Sequence, residues 1–296
     1  MIESAGTQGL SVEHLSSMTI AKLITFGEQL LLVHSDSAKL DTELLICFVI
    51  DKQRSFLLTW PEHKLSTEQT KKFVELMLRR FQGEPIAYIV QLREFWSLPL
   101  QVSPATLIPR PDTEVLVELV LNNHQGESLS CLDLGTGTGA IALALASERP
   151  QWQIQAVDYS HDAVELAICN ANNLKLTQVN IYQSDWFNEV SHDQRFDVIV
   201  SNPPYIDEND HHLNQGDVKY EPKTALVAAD NGLADIKIIA SNALRFLKSG
   251  GALYIEHGYQ QRQMVQKILT DLAYSKIETI KDYSNNDRVT WACYLV

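Results

Sequence analysis

Hydrophobic residues repeat with a helical period in the first part of the chain. One apolar stripe covers residues 40–48, behind candidate caps at positions 35 and 36, and a second covers residues 73–81. The second stripe follows a Ser-x-x-Gln capping box that starts at Ser66. Because strand signals are scarce before it ends, the pattern predicts a small helical domain over residues 1–82.

The pattern becomes β-like between residues 85 and 102. β-branched and aromatic residues are frequent there, and polar residues interrupt them at Arg93 and Glu94. This arrangement predicts a β-hairpin over residues 83–104 that links two domains. A proline-rich segment follows, after which we expect Asp112 to cap an apolar helix.

Beyond residue 104, short apolar strands alternate with helical stretches, which is typical of βαβ units in a parallel sheet. The strands predicted from this alternation lie at residues 131–134, 154–157, 179–182, 196–200 and 252–255. Two further strands, at residues 276–280 and 289–295, have no helix between them and must pair as an antiparallel hairpin. We therefore expect one α/β domain over residues 105–296. Its seven strands resemble the Rossmann-like sheet of class I methyltransferases that use S-adenosylmethionine (SAM), whereas dinucleotide-binding sheets usually have six parallel strands.

The composition excludes several classes of protein. The 296 residues are 45% hydrophobic and 21% charged, which suits a globular protein of two domains with a real core. No apolar run approaches the ~18 residues of a membrane span and no signal-peptide pattern is present, so we expect a cytoplasmic protein. The four cysteines are far apart and form no Cys-x-x-Cys pair, so we expect neither disulfides nor a metal site.

A glycine-rich turn joins the first predicted strand of the sheet to a helix. Residues 133–139 read Asp-Leu-Gly-Thr-Gly-Thr-Gly. Glycines allow a tight turn close to a ligand, and the helix N-terminus offers free amide donors to a carboxylate. The Gly-x-Gly-x-Gly spacing departs from the dinucleotide motif and resembles the methyltransferase motif. We expect cofactor contacts from five residues: Gly135, Thr136, Gly137, Thr138 and Gly139.

Acidic and aromatic residues end the next two predicted strands. Asp158 ends the second, where a carboxylate would accept hydrogen bonds from both ribose hydroxyls. Asp185 and Trp186 end the third, where a carboxylate can bind the adenine amino group and an indole can stack on the ring. A solvated carboxylate or a Trp packed on the sheet edge would be the simpler interpretation. Their distance from the glycine turn favours a cofactor site.

Asn202, Pro203, Pro204 and Tyr205 directly follow the strand at 196–200. Because ligands of open α/β sheets bind beyond the carboxyl ends of strands, this loop should share a crevice with the glycine turn. The Asn202 side-chain carbonyl and the Pro203 backbone carbonyl can each accept one hydrogen of an NH2 group, and Tyr205 offers a flat face. A plain Asn-Pro turn would explain only the first two residues.

A planar, conjugated nitrogen suits this loop as a substrate. Its lone pair is delocalised, as in a peptide bond, so it is a weak nucleophile. The help that it needs is orientation by two acceptors in a site that excludes water. No general base is required before transfer, because the proton can leave afterwards. The residues thus predict a methyltransferase whose catalytic residues are Asn202, Pro203 and Tyr205.

With these motifs the chain resembles the PrmC/HemK family of peptide chain release factor glutamine methyltransferases. The resemblance runs from about Thr19 to the end and includes residues 83–88, 93–96 and 107–114, besides the two loops. It implies SAM as cofactor, and methylation of the glutamine side-chain amide in the Gly-Gly-Gln loop of class 1 release factors. It also implies an N-terminal helical domain that docks the release factor.

Carried over by motif, the resemblance assigns cofactor binding to the glycine loop, Asp158, Trp186 and Asn202. Residues Asn202 to Tyr205 would hold the glutamine. Arg110 opens the most family-specific stretch, Arg-Pro-Asp-Thr-Glu, and we expect it among the substrate-binding residues.

Other functions remain open. An adenine-specific DNA methyltransferase uses a similar loop on a flipped base, but the formal net charge of −13 disfavours a phosphate backbone as partner. A methyltransferase for a glutamine of a ribosomal protein shares the loop, although the Arg-Pro-Asp-Thr-Glu stretch favours the release factor. The glycine spacing and the terminal hairpin argue against a dinucleotide oxidoreductase, and the complete motifs argue against a non-catalytic binding module. We expect a monomer without a direct nucleic-acid or membrane partner.

Overall fold

The computed structural model describes residues 11–33, 35–214 and 216–295. The chain divides into two compact units, of which the first ends at Gln91 and the second begins at Leu92. This division falls between the boundaries expected at residues 82 and 104.

The first unit is helical in its described residues. Its helices are α1 Val12–Ser16, α2 Ile20–Leu31, α3 Ala38–Ile50, α4 Arg54–Thr59, α5 Thr67–Phe81 and α6 Ile86–Val90. Their apolar faces meet in one core that includes Leu23, Leu45 and Phe73, all fully buried. The capping box is confirmed, because Ser66 and Gln69 exchange side-chain and backbone hydrogen bonds at the start of α5.

Two local predictions in this unit are wrong. Residues 86–90, predicted as β, form helix α6, because packing of Ile89 in the helical core outweighs the β preference of the segment. Helix α3 takes Ser37 as its N-cap rather than a residue at 35 or 36. The Ser35 hydroxyl instead donates to Asp41 at 2.8 Å, and Asp41 also accepts a hydrogen bond from the buried Arg80 at 2.6 Å.

The second unit opens with the predicted hairpin, but the hairpin is shorter than expected. Strands β1 Leu92–Phe95 and β2 Leu98–Gln101 pair in antiparallel fashion. The turn is formed by Trp96 and Ser97, whose φ values of 53° and 61° suit a two-residue hairpin turn. Arg93 and Glu94, expected at the break, lie inside β1.

A seven-stranded sheet confirms the predicted fold class. Its strands are β3 Ser130–Leu134, β4 Gln153–Asp158, β5 Asn180–Gln183, β6 Phe196–Ser201, β7 Leu247–Glu256, β8 Ser275–Lys281 and β9 Asp287–Cys293. They lie in the order β5-β4-β3-β6-β7-β9-β8. The first five pair in parallel, and β9 lies between β7 and β8, antiparallel to both.

Helices and two apolar cores flank this sheet. The helices are α7 Glu114–Asn123, α8 Ala140–Glu148, α9 His161–Asn173, α10 Ala229–Gly232, α11 Ala234–Ala243 and α12 Arg262–Asp271. Successive strand residues alternate between the cores, so Cys131 belongs to one and Leu132 to the other. Among the described helices of both units, none is long and apolar enough to cross a membrane.

Helix α7 begins one residue later than expected. Residues Pro111–Thr113 form a short 3-10 turn, so Thr113 rather than Asp112 is the N-cap. The Asp112 carboxylate lies 3.9 Å from the Arg288 guanidinium instead. Two other family-like stretches meet here: Arg93 donates to the Pro109 carbonyl at 3.2 Å, and the Glu114 carboxylate accepts from the Trp96 backbone at 2.8 Å.

Candidate active site

The candidate site lies where the strand order reverses, between β3 and β6. Leu134 pairs with Ser201 across these strands, and the Ser201 hydroxyl donates to the Leu134 carbonyl at 2.8 Å. Gly135 and Asn202, the next residues of the chain, therefore leave the sheet side by side. A cavity of about 250 Å³ opens at this point and is lined by both.

The glycine loop follows β3 in a backbone conformation that glycine favours. Gly135, Gly137 and Gly139 have φ values of +70°, +56° and +83°. The backbone amides of Gly135 and Thr136 both donate to the Val157 carbonyl at 2.9 Å, which ties the loop to the end of β4. Because Gly135 and Gly137 have no side chain, main chain forms their part of the cavity wall.

Asp158 ends β4 and reaches the glycine loop. One carboxylate oxygen accepts from the Gly137 backbone amide at 2.8 Å, and the other accepts from the Ser160 amide at 2.9 Å. Burial raises the pKa of Asp158, while these backbone donors lower it. Its side chain lines the cavity, so the same carboxylate holds the loop and faces the ligand space.

The buried Asp133 carboxylate stabilises the glycine loop. It is fully buried, and one of its oxygens accepts from the Thr136 hydroxyl at 2.6 Å and from the Ala142 amide at 3.3 Å. Burial raises the pKa of Asp133 to about 7 against these two hydrogen bonds. Asn170 of α9 also anchors this loop, because its side-chain amide donates to the carbonyls of Thr138 and Gln101.

Asp185 and Trp186 lie beyond the third strand of the prediction rather than at its end. Strand β5 finishes at Gln183, and both residues sit in the following turn, where Trp186 takes a φ of +49°. The Ser184 hydroxyl donates to the Trp186 carbonyl at 2.8 Å and fixes this turn. Both residues line the cavity, and a Cβ on Gly135 would lie 3.5 Å from the Trp186 ring.

Asn202 faces the segment that precedes α7. Its side-chain nitrogen donates to the Thr113 hydroxyl oxygen at 3.2 Å. Among the described residues, no hydrogen bond reaches the Asn202 side-chain oxygen or the Pro203 carbonyl oxygen. The two acceptors that the sequence singled out are therefore both open, although the Pro203 ring is buried and only Asn202 and Pro204 line the cavity.

Tyr205 points behind the cavity wall toward Glu256, the last residue of β7. The Tyr205 hydroxyl lies 3.4 Å from the Glu256 carboxylate, a long contact, and burial together with Glu256 raises the pKa of Tyr205. Burial also raises the pKa of Glu256 to about 7, and the nearby Thr113 hydroxyl and Arg288 charge oppose that rise.

The backbone of Tyr205 is held by two residues that the sequence analysis did not single out. The Gln261 side-chain amide donates to the Tyr205 carbonyl at 2.9 Å and to the Asn231 carbonyl at 3.1 Å. Gly232 packs directly on the same carbonyl with a φ of +78°, and a Cβ there would lie only 2.6 Å from the Tyr205 carbonyl carbon. This leaves no room for a side chain at position 232.

Arg110 lines the cavity and forms an ion pair with Glu221 at 2.5 Å. The Glu221 side chain is fully buried, whereas that of Arg110 is 33% exposed. Burial raises the pKa of Glu221 to about 7, and Arg110 opposes the rise. Glu221 belongs to the polar loop after Tyr205, so the pair connects that loop to the segment before α7.

The cavity brings together most of the residues predicted for cofactor and substrate. They are Gly135, Thr136, Gly137, Thr138, Asp158, Asp185, Trp186, Asn202, Pro204 and Arg110. Gly139, Pro203 and Tyr205 do not line it. Gly139 precedes α8, where a Cβ would meet Leu143 at 3.0 Å, so it serves the packing of that helix.

Several residues around the site were not predicted. Thr113 lies inside the Arg-Pro-Asp-Thr-Glu stretch, and Gly232 lies in an Asn-Gly pair, so each carried a weak signal. Glu256 carried one as well, since it ends a run of buried residues in β7. Gln261 and Glu221 carried none, because their partners are distant in sequence.

Two family models match the chain. The model described as "Methyltransferase domain" matches residues 125–292, and the model described as "PrmC N-terminal domain" matches residues 22–90. The first match contains the glycine loop, Asp158 and the Asn-Pro-Pro-Tyr loop.

Curated relatives cover nearly the whole chain. A release factor glutamine methyltransferase of Shewanella oneidensis is 54% identical over 272 residues, which is 92% of this chain and 94% of the relative. The protein of that name from Escherichia coli is 53% identical over 260 residues, 88% of this chain and 94% of the relative. A solved methyltransferase structure from Pyrococcus furiosus is 17% identical, with a TM-score of 0.53 over 75% of this chain and 99% of that one, and supports the fold alone.

Proposed function

Because the chain belongs to the family of release factor glutamine methyltransferases, we propose that it methylates the glutamine side-chain amide in the Gly-Gly-Gln loop of class 1 peptide chain release factors. One feature of the structure supports this function independently of the family relationship. The glycine loop and Asn202 leave adjacent strands side by side and line one cavity, which joins a cofactor site to an amide-binding site.

The cavity fits SAM, the cofactor of this family. Positive φ values at Gly135 and Gly137 bring main chain to its wall, and a Cβ at Gly135 would enter the space before Trp186. Asp158 would accept hydrogen bonds from ribose hydroxyls, and the backbone amides at the N-terminus of α8 would meet the carboxylate. When bound, SAM supplies a methyl group on a positively charged sulfur.

The Asp185 carboxylate and the Trp186 indole would hold the adenine. Asp185 is exposed at the cavity mouth, so it can accept from an amino group that enters from solvent. Trp186 is half-buried, and its ring packs against the core on one side. Stacking of a base on such a ring is worth ~1–3 kcal/mol.

The chain's own residues orient the substrate amide. The open oxygens of Asn202 and Pro203 would each accept one hydrogen of the glutamine NH2 group, and Tyr205, which lies behind the cavity wall, would support the loop that carries them. These contacts fix the nitrogen in one orientation. They also occupy the two acceptor oxygens, to which water would otherwise bond. Two preorganised acceptors also stabilise the positive charge that develops on the nitrogen.

No side chain is needed to remove a proton before transfer. After transfer the nitrogen carries the methyl group, two hydrogens and a positive charge. Only this charged form is strongly acidic, so one proton leaves afterwards and the neutral methylamide remains. Among the described residues that line the cavity, none is a histidine or a lysine, which agrees with this order of events.

The Arg110–Glu221 pair would hold the substrate side of the pocket. It bridges the segment before α7 and the loop that follows Tyr205, so it fixes two walls at once. Arg110 is a third exposed and retains donors for a substrate carbonyl. Arg110 would therefore bind the substrate.

The helical unit would dock the release factor. It contains the stretch that matches the PrmC N-terminal model, and none of the predicted site residues lies in it. Leu58 and Trp60, at the end of α4, are 83% and 59% exposed, as expected of a surface that binds a protein. The net charge of −13 favours a protein over nucleic acid as the direct partner, and the proposal is for a monomeric, cytoplasmic enzyme.

Incubation with a class 1 release factor and labelled SAM, followed by mass mapping of the Gly-Gly-Gln peptide, tests the proposal. One methyl group on that glutamine is the expected result. A release factor whose glutamine is replaced by alanine is the matched control and should gain no label. Label on duplex DNA or on a ribosomal protein instead would overturn the assignment of substrate.

A further inference from the structure

Thr113 is a buried residue beside the reacting groups, and the proposed mechanism leaves it without a role. It lies in the short turn before α7, is 4% exposed and lines the cavity. Its hydroxyl oxygen accepts the hydrogen bond from the Asn202 side-chain nitrogen at 3.2 Å. Among the described residues, Thr113 is thus the only hydrogen-bond partner of the Asn202 side-chain amide.

The orientation of that side-chain amide decides whether Asn202 can accept a hydrogen bond from the substrate nitrogen. A side-chain amide carries an acceptor on one side and two donors on the other. If it turned over, its NH2 group would face the NH2 group of the substrate, and the two sets of donors would repel. A hydrogen-bond acceptor beside the Asn202 nitrogen prevents this reversal of the amide, and the Thr113 oxygen occupies that position.

The structure shows which of two possible roles the Thr113 hydroxyl takes. A hydroxyl can donate to an amide oxygen or accept from an amide nitrogen. The Asn202 atom that lies 3.2 Å from the Thr113 oxygen is the side-chain nitrogen, so Thr113 accepts, and the Asn202 oxygen has no hydrogen-bond partner among the described residues. The contact thus holds the amide with its oxygen free to accept a hydrogen bond.

We infer that Thr113 is a positioning residue that holds the Asn202 amide in the orientation able to receive the substrate nitrogen. The inference rests on the proposed function for its meaning in catalysis. The hydrogen bond itself can be tested without any substrate.

Two substitutions of Thr113 separate its hydroxyl from its shape. Thr113→Val keeps the shape and removes the acceptor, so the single-turnover rate should fall by about 10-fold, because a buried amide donor is left unpaired. Thr113→Ser keeps the hydroxyl and should restore most of that loss. SAM affinity measured by calorimetry should stay unchanged in both. Equal rates for Thr113→Val and the wild type would overturn the inference.

A matched control tests whether loss of any buried threonine hydroxyl has this effect. Thr42 is fully buried in α3, and its hydroxyl donates to the Ala38 carbonyl at 2.8 Å. Thr42→Val should lower the melting temperature without lowering turnover per folded molecule. A rate loss equal to that of Thr113→Val would count against a specific role for Thr113.

A double-mutant cycle tests whether Thr113 acts through Asn202. In the Asn202→Ala background there is no amide left to orient, so Thr113→Val should have no further effect on the rate. A role in folding alone would instead lower the rate by the same factor in both backgrounds.

Nuclear magnetic resonance of asparagine-labelled protein reads the hydrogen bond directly. The side-chain NH2 signal of Asn202, identified by its loss in Asn202→Ala, should exchange slowly with solvent in the wild type and in Thr113→Ser. It should exchange faster in Thr113→Val. If the wild type fails to methylate release factor while this pattern holds, the proposed substrate is wrong and the positioning contact stands; an unchanged signal in Thr113→Val refutes the contact itself.

Discussion

Gly232 gives the sharpest test of how the Asn-Pro-Pro-Tyr loop is held. An alanine there meets two penalties. A φ of +78° costs a residue with a Cβ ~1–2 kcal/mol. The Cβ would also lie 2.6 Å from the Tyr205 carbonyl carbon and 2.8 Å from the Gln261 side-chain nitrogen, closer than the 3.0 Å that real Cβ atoms keep. The loop must therefore move by several tenths of an ångström or more.

The size of the effect follows from that displacement. A misplacement of about 1 Å in a site that works by orientation can reduce turnover on the order of 10²-fold. Gly232→Ala should therefore lose stability and approach that loss of single-turnover rate. The free energy of unfolding from denaturant titration and the rate should be measured on the same preparations.

Gly250 supplies the matched control. Its φ of +83° is nearly the same, but a Cβ there would meet nothing within 4 Å. Gly250→Ala should therefore lose ~1–2 kcal/mol of stability and keep wild-type turnover per folded molecule. If the two variants lost the same stability and kept the same turnover, the contact with Tyr205 would not position the loop.

Three further predictions concern the site. Asp158→Ala should weaken SAM binding by about 1–3 kcal/mol, since hydrogen bonds to a charged acceptor are lost, and unchanged affinity in a titration calorimeter would remove Asp158 from the cofactor site. Asn202→Ala should reduce the single-turnover rate by about 10²–10³, and Asn202→Asp, which keeps an acceptor, should retain more activity; a wild-type rate in Asn202→Ala would refute the mechanism. The Glu256 pKa of about 7 lies above its ordinary value of 4.5, so the stability that this carboxyl contributes is present at low pH and lost as pH rises through 7. Glu256→Gln should therefore raise the melting temperature more at pH 8 than at pH 5, and an equal change at both would show that Glu256 is not titrating there.

The strands were predictable because each is an apolar run between turn residues. The run at 196–200 and the glycine turn at 133–139 fall where the structure has β6 and the β3–α8 connection. The helix at residues 86–90 was not predictable, because Ile89 is buried by helices that lie far away in sequence. No local sequence pattern indicates such contacts.

The cavity was predictable only in part, for the same physical reason. Asp158 and Asn202 end strands, and parallel strands bring their carboxyl ends to one edge, so their proximity follows from topology. The contacts of Gln261 with the Tyr205 carbonyl and of Glu221 with Arg110 cross more than one element, and nothing near either residue in the sequence indicates its partner.

The position of β9 means that this unit cannot assemble in the order in which it is synthesised. Residues 275–281 leave the ribosome first, yet β8 contacts the sheet only through β9, so it must wait for residues 287–293. Until then the edge of β7 stays open, including Glu256, which pairs with Val289. The strand that covers the edge of β7 thus also covers the backbone of Glu256, the residue against which the Tyr205 hydroxyl lies, so this part of the site forms late in synthesis.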